Sequence, residues 1–337
     1  MTDAVASVRF SRGPWATALR KLSRDNAAMV CLAVFCLIVV LCLLAPAYAS
    51  FADTDPFRST LDATVEINGQ QVPVMEQSTE GLGLGYTPIG PTWQIGSYFL
   101  GADNQGRDVM ARLLYGGRNS LLIAGASTII TLVVATIVGL VAGFFGGITD
   151  TILSRILDVL WAFPVYLLAI SLSIVLIAHG IDLGLIVLEA GSLWLPIFII
   201  GIVYIPYIAR PIRGQVLALR QSEFVLAAIG LGVPEHRILL RDILPNVSTT
   251  LIVFAPLMLA INMLTESALS FLSIGVQPPD ASWGTIIQDG QGLLYTRPMV
   301  ALAPGIAIAL TVLVLNVLGD GLRDALDPRS KVRLGGD

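Results

Sequence analysis

S-E-F-V-L-A-A-I-G-L-G-V-P-E-H-R-I-L-L-R-D-I-L-P-N, residues 222–246, separates two long apolar runs. It carries charge yet keeps helical spacing. Ser222 is the expected N-cap, and Glu223 puts negative charge at the positive end of the helix. Phe224, Ala227, Ala228 and Leu231 recur at three- and four-residue intervals, which predicts one small-and-apolar face. Gly232 is expected to stop this helix, and Pro234 to start a second one ending before Pro245. Asn246 is then placed to cap the apolar run that follows. Gly232 and Leu244-Pro245 would fix the shape of the piece. Two readings fit this pattern: a rigid knob for another protein's surface, or an interfacial helix resting on lipid.

The flanking runs decide where this piece sits. Hydrophobic residues make up 55% of the 337 and charged residues 13%, against roughly 25% charged in soluble domains. That composition is expected of an integral membrane protein. Six runs reach the roughly 20 apolar residues that a spanning helix needs: about 26–49, 119–145, 155–179, 191–211, 247–271 and 299–319. Ala47-Tyr48-Ala49 resembles a signal cleavage site, but the apolar stretch and its charged leader are too long, so an uncleaved anchor is expected. The chain divides into an N-terminal segment 1–25, a first span 26–49, an outer loop 50–118, a core 119–321 holding five spans and the 222–243 piece, and a tail 322–337.

Orientation follows from Lys and Arg. Placing the N-terminus inside puts fifteen basic residues on the inner side. They include Arg20, Lys21, Arg24, Arg155, Arg210, Arg213, Arg220, Arg237, Arg241 and Arg323. Only Arg58, Arg107, Arg112, Arg118 and Arg297 then lie outside. Both termini and the 222–246 piece are therefore expected in the cytoplasm. The outer loop is longer than a plain connection requires. In it, Thr64–Ile67, Asn68-Gly69 and Gln70–Val72 predict a β-hairpin with a two-residue type I′ turn. G-L-G-L-G-Y, 81–86, lacks the strand-before, helix-after context of a nucleotide loop and reads as a connector.

Several chemistries are excluded. The only lysines, Lys21 and Lys331, follow no G-x-x-x-x-G pattern, so no phosphate-binding loop of that kind is encoded. No basic tract suits nucleic acid. Cys31, Cys36 and Cys42 share one apolar run, and His179 and His236 stand far apart, so neither a metal site nor a catalytic residue is expected. An ion-driven carrier or channel would need inverted repeats or charged groups in mid-span. The spans hold only Asp158 near an inner end and Glu266 about one turn from an outer end. Both could simply pair locally. Candidate pathway residues are Trp161, Phe163 and Pro164, where a proline stands beside two aromatics, and Asn262, Thr265 and Glu266, on about one face of the fifth span. Helix packing is the alternative for the aromatics.

Ala227-Ala228, Gly232 and Leu244-Pro245 together resemble the E-A-A-x-x-x-G…L-P loop of ABC importer permeases. L-G-A-D-N-Q-G-R-D at 100–108, S-A-L-S-F-L-S-I-G-V-Q-P-P-D-A-S-W-G at 267–284 and N-V-L-G-D-G-L-R-D-A-L-D-P at 316–328 are similar to one branch, the second ("C") permease of dipeptide and oligopeptide importers. The resemblance implies an all-α membrane protein of the type I ABC importer permease fold, with six transmembrane helices. It also implies that 222–243 is the coupling helix docking into an ATPase subunit, so that Glu223, Phe224, Ala227, Ala228, Leu231, Gly232, Leu244 and Pro245 are its coupling residues. The implied partners are a homologous second permease, two ATPase subunits that carry the ATP and Mg, and an extracytoplasmic binding protein. The chain itself would bind no cofactor and catalyse nothing, in a bacterial inner membrane. Nickel chelate, glutathione or oligosaccharide are alternative cargoes. The sequence departs from the family pattern at Leu226, where an acidic residue is usual, at Asp242 for a histidine and at Ala102 for a threonine. Glu223, three residues before Leu226 on the same helix face, is placed to substitute. The hairpin region 52–98 is longer than the branch norm and is expected to contact the binding protein or the sister permease.

Overall fold

In the computed structural model, residues 19–67, 69–77, 85–179, 181–182, 187–188 and 191–326 are described. Helix α1 (Asn26–Leu43) opens where the Asp25 carboxylate accepts from the amides of Ala27 and Ala28 at 3.0 and 3.2 Å. Its 18 residues carry no charge, and only Ala28 and Cys42 are buried, as suits a helix surrounded by apolar solvent. The expected span 26–49 is broken at Leu44, and α2 (Ala45–Phe51) follows. Pro46 explains the break, because it has no N–H for the carbonyl four residues back.

The segment from 52 to 108 forms a small layer of its own. Strands β1 (Thr64–Ile67) and β2 (Gln70–Pro73) pair antiparallel with Ile67 opposite Gln70. Gly69 has φ +81°, as a type I′ turn demands; Asn68 lies outside the described residues. A second ladder, β3 (Met75–Gln77) with β4 (Tyr86–Pro88), was not expected from the sequence. The connector 81–86 runs into it, with 81–84 outside the described residues. Val65, Val74, Ile89, Tyr98 and Ala102 form the core of this layer.

Helix α3 (Val109–Phe145) begins ten residues before the expected span, because Asp108 caps it by accepting from Met110 and Ala111 at 2.8 and 3.1 Å. Its 37 residues extend about 55 Å, well beyond a hydrocarbon core of about 30 Å. Next come α4 (Gly147–Ala162) and α5 (Val165–His179), then the short strands β5 (Ile181–Asp182) and β6 (Val187–Leu188). The expected third span, 155–179, is bent by 89° where α4 meets α5. Pro164 drives Phe163 to φ −89°, ψ 136°, out of the helical region. The expected fourth span is α6 (Trp194–Val203) and α7 (Ile205–Arg220), bent by 40°. Among the described residues, four helices are long and apolar enough to cross a membrane, or up to six if each bent pair is one span.

Beyond α7, α8 (Glu223–Gly230) and α9 (Glu235–Ile238) form the short piece quoted above. A π turn, 239–243, joins α9 to α10 (Leu244–Phe271). Helix α11 (Trp283–Gly290) and α12 (Met299–Leu326) complete the chain, with 327–337 of the expected tail outside the described residues. Helix α3 is the axis: it packs along α7, α10 and α6, while α12 packs on α10 and α1. The α3–α7 approach depends on Gly139 and Gly143. A Cβ on Gly139 would lie 2.6 Å from Ile212, and one on Gly143 2.7 Å from Val216. This small-x-x-x-small spacing lets two backbones meet.

Candidate functional site

The 222–243 piece has an inward and an outward face. Val225, Ile238 and Ile243 are fully buried in the main core, with Ala228, Val233, Leu239 and Leu244 packed partly against it. Phe224, Leu226, Ala227, Ile229 and Leu231 point away and are exposed, Leu231 to 83%. The expected face is therefore split: Phe224, Ala227 and Leu231 look outward, while Ala228 leans on the protein's own core. The turn closes in a Schellman arrangement. The Val233 amide donates to the Ala228 carbonyl and the Gly232 amide to that of Ile229, both at 3.0 Å, with Gly232 at φ +72°.

Three local expectations are corrected. Ser222 occupies the N-cap position but does not cap with its side chain; its hydroxyl donates to the Leu219 carbonyl at 2.5 Å, tying α8 back to α7. The second short helix does not end before Pro245 but runs through the π turn into α10. Pro245 lacks the N–H that would bond the Arg241 carbonyl, and the wider i→i−5 turn, closed by the Leu244 amide on Leu239, absorbs the defect. Asn246 caps nothing; its amide donates to the Asp242 carbonyl at 2.6 Å within that turn. The outcome is a knob fused rigidly to the spanning helix. Arg213 braces its base with paired bonds to Asp150 at 2.5 and 2.6 Å, joining α7 to α4.

The two sets of pathway candidates lie in different settings. Trp161, Phe163 and Pro164 are exposed at the α4–α5 break. Trp161 stacks on Tyr207 at 6.1 Å and carries the Arg210 guanidinium 4.8 Å above its ring, while Arg210 also pairs with Asp158 at 2.8 Å. Asn262, Thr265 and Glu266 are fully buried. Asn262 donates to the Thr128 hydroxyl at 2.9 Å, and Thr265 and Tyr204 share a bond of 2.8 Å. The Glu266 carboxylate accepts from Ser270 at 2.7 Å and from Ser267 at 3.4 Å. These three form a buried polar seam inside the subunit. An open cavity of about 550 Å³ instead lies between the knob-side half of α10 and the end of α12. Thr249, Thr250, Phe254, Asn316, Asp320 and Arg323 line it. Sequence reading missed it, although Asn316, Asp320 and Arg323 recur at i, i+4 and i+7.

Residues 135–332 match the model of the binding-protein-dependent transport system inner membrane component, and 13–63 match the N-terminal transmembrane domain of oligopeptide transport permease C. The oligopeptide transport system permease protein OppC of Haemophilus influenzae is 34% identical over 320 residues, 95% of this chain and 90% of that protein. The chain belongs to this permease family. The dipeptide transport system permease protein DppC of Alkalihalophilus pseudofirmus is 33% identical over 94% of this chain and 91% of its own length. The glutathione transport system permease protein GsiD of Pectobacterium atrosepticum is 38% identical over 70% of this chain and 74% of its own. A solved structure of the MetNI methionine ABC transporter in an inward-facing conformation shares the fold, with TM-score 0.52 and 18% identity over 65% of this chain and 98% of that one. An ion-coupled carrier is not favoured by this membership.

At the other end of the permease, a buried ionic knot ties the strand layer to α11. Arg107 donates to Asp103 at 2.7 Å and to Asp289 at 2.9 Å. Arg112 donates to the same Asp289 oxygen at 3.0 Å, lies 3.3 Å from Asp103 and donates to the Pro56 carbonyl at 3.1 Å. Burial pushes the Asp289 carboxyl above the usual carboxylate range, and the two guanidiniums oppose that push. Asp103 and Arg107 belong to the 100–108 motif, whose structural role the sequence did not disclose. Ala102, at the motif's departure from the family pattern, is fully buried in the strand layer.

Proposed function

We propose that this chain is one permease subunit of an ATP-driven peptide importer, lining half of the translocation path. It works beside a homologous second permease, above two ATPase subunits that carry the ATP and Mg, and below an extracytoplasmic binding protein. The carrying observation is the knob. Its inner face is locked into the core, and its outer face leaves Phe224, Leu226, Ile229 and Leu231 in solvent. Apolar surface held out on a rigid support is characteristic of a protein-docking site. Family membership supports reading that partner as an ATPase. In this reading each bent pair is one span, the knob and both termini lie in the cytoplasm and the strand layer lies outside; the excess of Lys and Arg on the knob side supports that orientation. Glu223, Phe224, Ala227, Leu231 and Gly232 then serve coupling directly, and Ala228, Leu244 and Pro245 serve it by holding the knob. The cavity bordered by Asn316, Asp320 and Arg323 forms the cytoplasmic part of the path, and Trp161, Phe163 and Pro164 are further candidates for it. The peptide cargo rests on the OppC and DppC relatives.

The purified chain alone is expected to hydrolyse no ATP. With the ATPases and sister permease present, hydrolysis appears and rises with loaded binding protein. ATP turnover by this chain alone, freed of contaminants, would overturn the assignment. Uptake of labelled di- and oligopeptides, competed by glutathione, separates the cargo classes.

A further inference from the structure

The strand layer carries a tip whose apolar side chains are exposed, yet its geometry is fixed. The Thr92 and Trp93 amides donate to the carbonyls of Tyr98 and Phe99, both at 3.3 Å, and the Thr92 hydroxyl donates to the Tyr98 carbonyl at 3.0 Å. Trp93 sits at φ +55°, an unfavourable conformation for a bulky residue that persists only where surrounding bonds hold it. Its ring meets Phe99 edge-on at 5.6 Å. The closed loop presents Trp93 at 59% and Ile95 at 88% exposure. The whole stretch 81–102 contains no charged residue.

The position of this tip indicates what covers it. The Tyr48 hydroxyl donates to the Gly96 carbonyl at 2.8 Å. Tyr48 lies in α2, the short helix directly after the first span, so the tip is fastened at the membrane end of α1. Leu43, Leu44 and Phe51, at the end of α1 and in the turn and helix after it, are also exposed. Trp and Tyr favour this headgroup level, where an amphipathic ring has apolar and wet surroundings at once.

We propose that Trp93-Gln94-Ile95, fastened by Tyr48, dips into the headgroup region of the outer leaflet and anchors the strand layer on the lipid surface. This surface is separate from the coupling knob and needs only that α1 spans the membrane, so it stands independently of cargo or ATPase partner. The anchor fixes the height of the strand layer above the bilayer beside the first span.

The test uses the full chain in phosphatidylethanolamine–phosphatidylglycerol nanodiscs, with Cys31, Cys36 and Cys42 replaced by Ala. Ile95→Cys is labelled with bimane, and Gln71→Cys, exposed on β2, serves as the aqueous control. At position 95 we expect blue-shifted emission, loss of more than half the signal with lipids brominated near the headgroup, and little quenching by iodide. Position 71 should show the reverse. Tyr48→Phe should move position 95 toward the aqueous pattern while leaving position 71 unchanged. If position 95 is quenched by iodide like position 71, or becomes shielded only when sister permease or binding protein is added, the lipid anchor is overturned. The result is read without transport, so failure of the importer assignment would leave it unaffected.

Discussion

The knob and the ionic knot lie at opposite ends of α10, and they treat burial in opposite ways. The knob leaves apolar side chains in solvent and is seated by apolar packing of Val225, Ile238 and Ile243, with the Arg213–Asp150 pair confined to its base. The knot buries charge, with Arg107, Arg112 and Asp103 almost wholly enclosed, and keeps its strand layer attached through paired ions. An apolar seat with one ion pair at its base holds the knob as a unit without burying a charge in its core. Interlocked ions suit a part that must keep its register on the span below, because each ion left alone after slippage would carry a desolvation cost.

The largest effect is therefore expected at the knot. Asp103 bridges two guanidiniums and its side chain is 1% exposed. Asp103→Ala should cost about 3–5 kcal/mol, the usual loss on breaking a buried ion pair from one side. Thermal unfolding of the detergent-solubilised chain should show it, and limited proteolysis should cut first within 52–108. Cleavage appearing first near the knob would break the comparison.

Next comes the knob's turn. Gly232→Val forces a β-branched residue to φ +72°, although its Cβ would meet no neighbour within 4 Å. The strain of about 1–2 kcal/mol is conformational alone. It should uncouple ATP hydrolysis from transport while membrane insertion persists. Gly232→Ala, with the smallest side chain, should retain more coupling than the valine variant; equal loss would point to a steric neighbour instead.

A sharper probe contrasts adjacent alanines. Ala228 leans on the core, so Ala228→Trp should destabilise the chain itself by about 1–3 kcal/mol through overpacking. Ala227 points outward, so Ala227→Trp should leave the melting temperature unchanged and release the ATPases in a pull-down. If Ala227→Trp keeps them bound with transport intact, the knob is a lipid-resting helix.

Much of the knob was legible in the sequence because its punctuation is local. Pro234 and the Gly232 turn need only neighbouring residues to act, and both stand where expected. The continuity through Pro245 was not legible, because a proline reads as a stop unless the wider π turn that accommodates it is seen. The knot was hidden for a different reason: Arg107 meets a carboxylate 182 residues away. Charges in an outer loop look solvated until the fold brings their partners. Glu266 illustrates the same limit from the other side. Its position in an apolar run left a path or local pairing open, and the serines that bond it, Ser267 and Ser270, lie only one and four residues along the helix.

The smallest expected effect tests the missing acid. Leu226 stands where the family pattern has a carboxylate, and it is 56% exposed. Glu223 is exposed three residues earlier on α8, one turn away on the same side of the helix. If Glu223 supplies the charge that an ATPase cleft reads, Glu223→Ala should weaken association by no more than about fivefold, the scale of an ordinary exposed ion pair. Salt should shrink that difference, since an exposed ion pair is screened by salt. Leu226→Glu in the Glu223→Ala background should then restore the lost affinity, because position 226 already faces outward and a carboxylate there displaces nothing from the core. Glu223→Ala with unchanged, salt-independent affinity would show that the knob docks through Phe224, Ile229 and Leu231 alone. Failure of Leu226→Glu to rescue a real loss would show instead that the cleft reads the charge at the first turn of α8 and nowhere else.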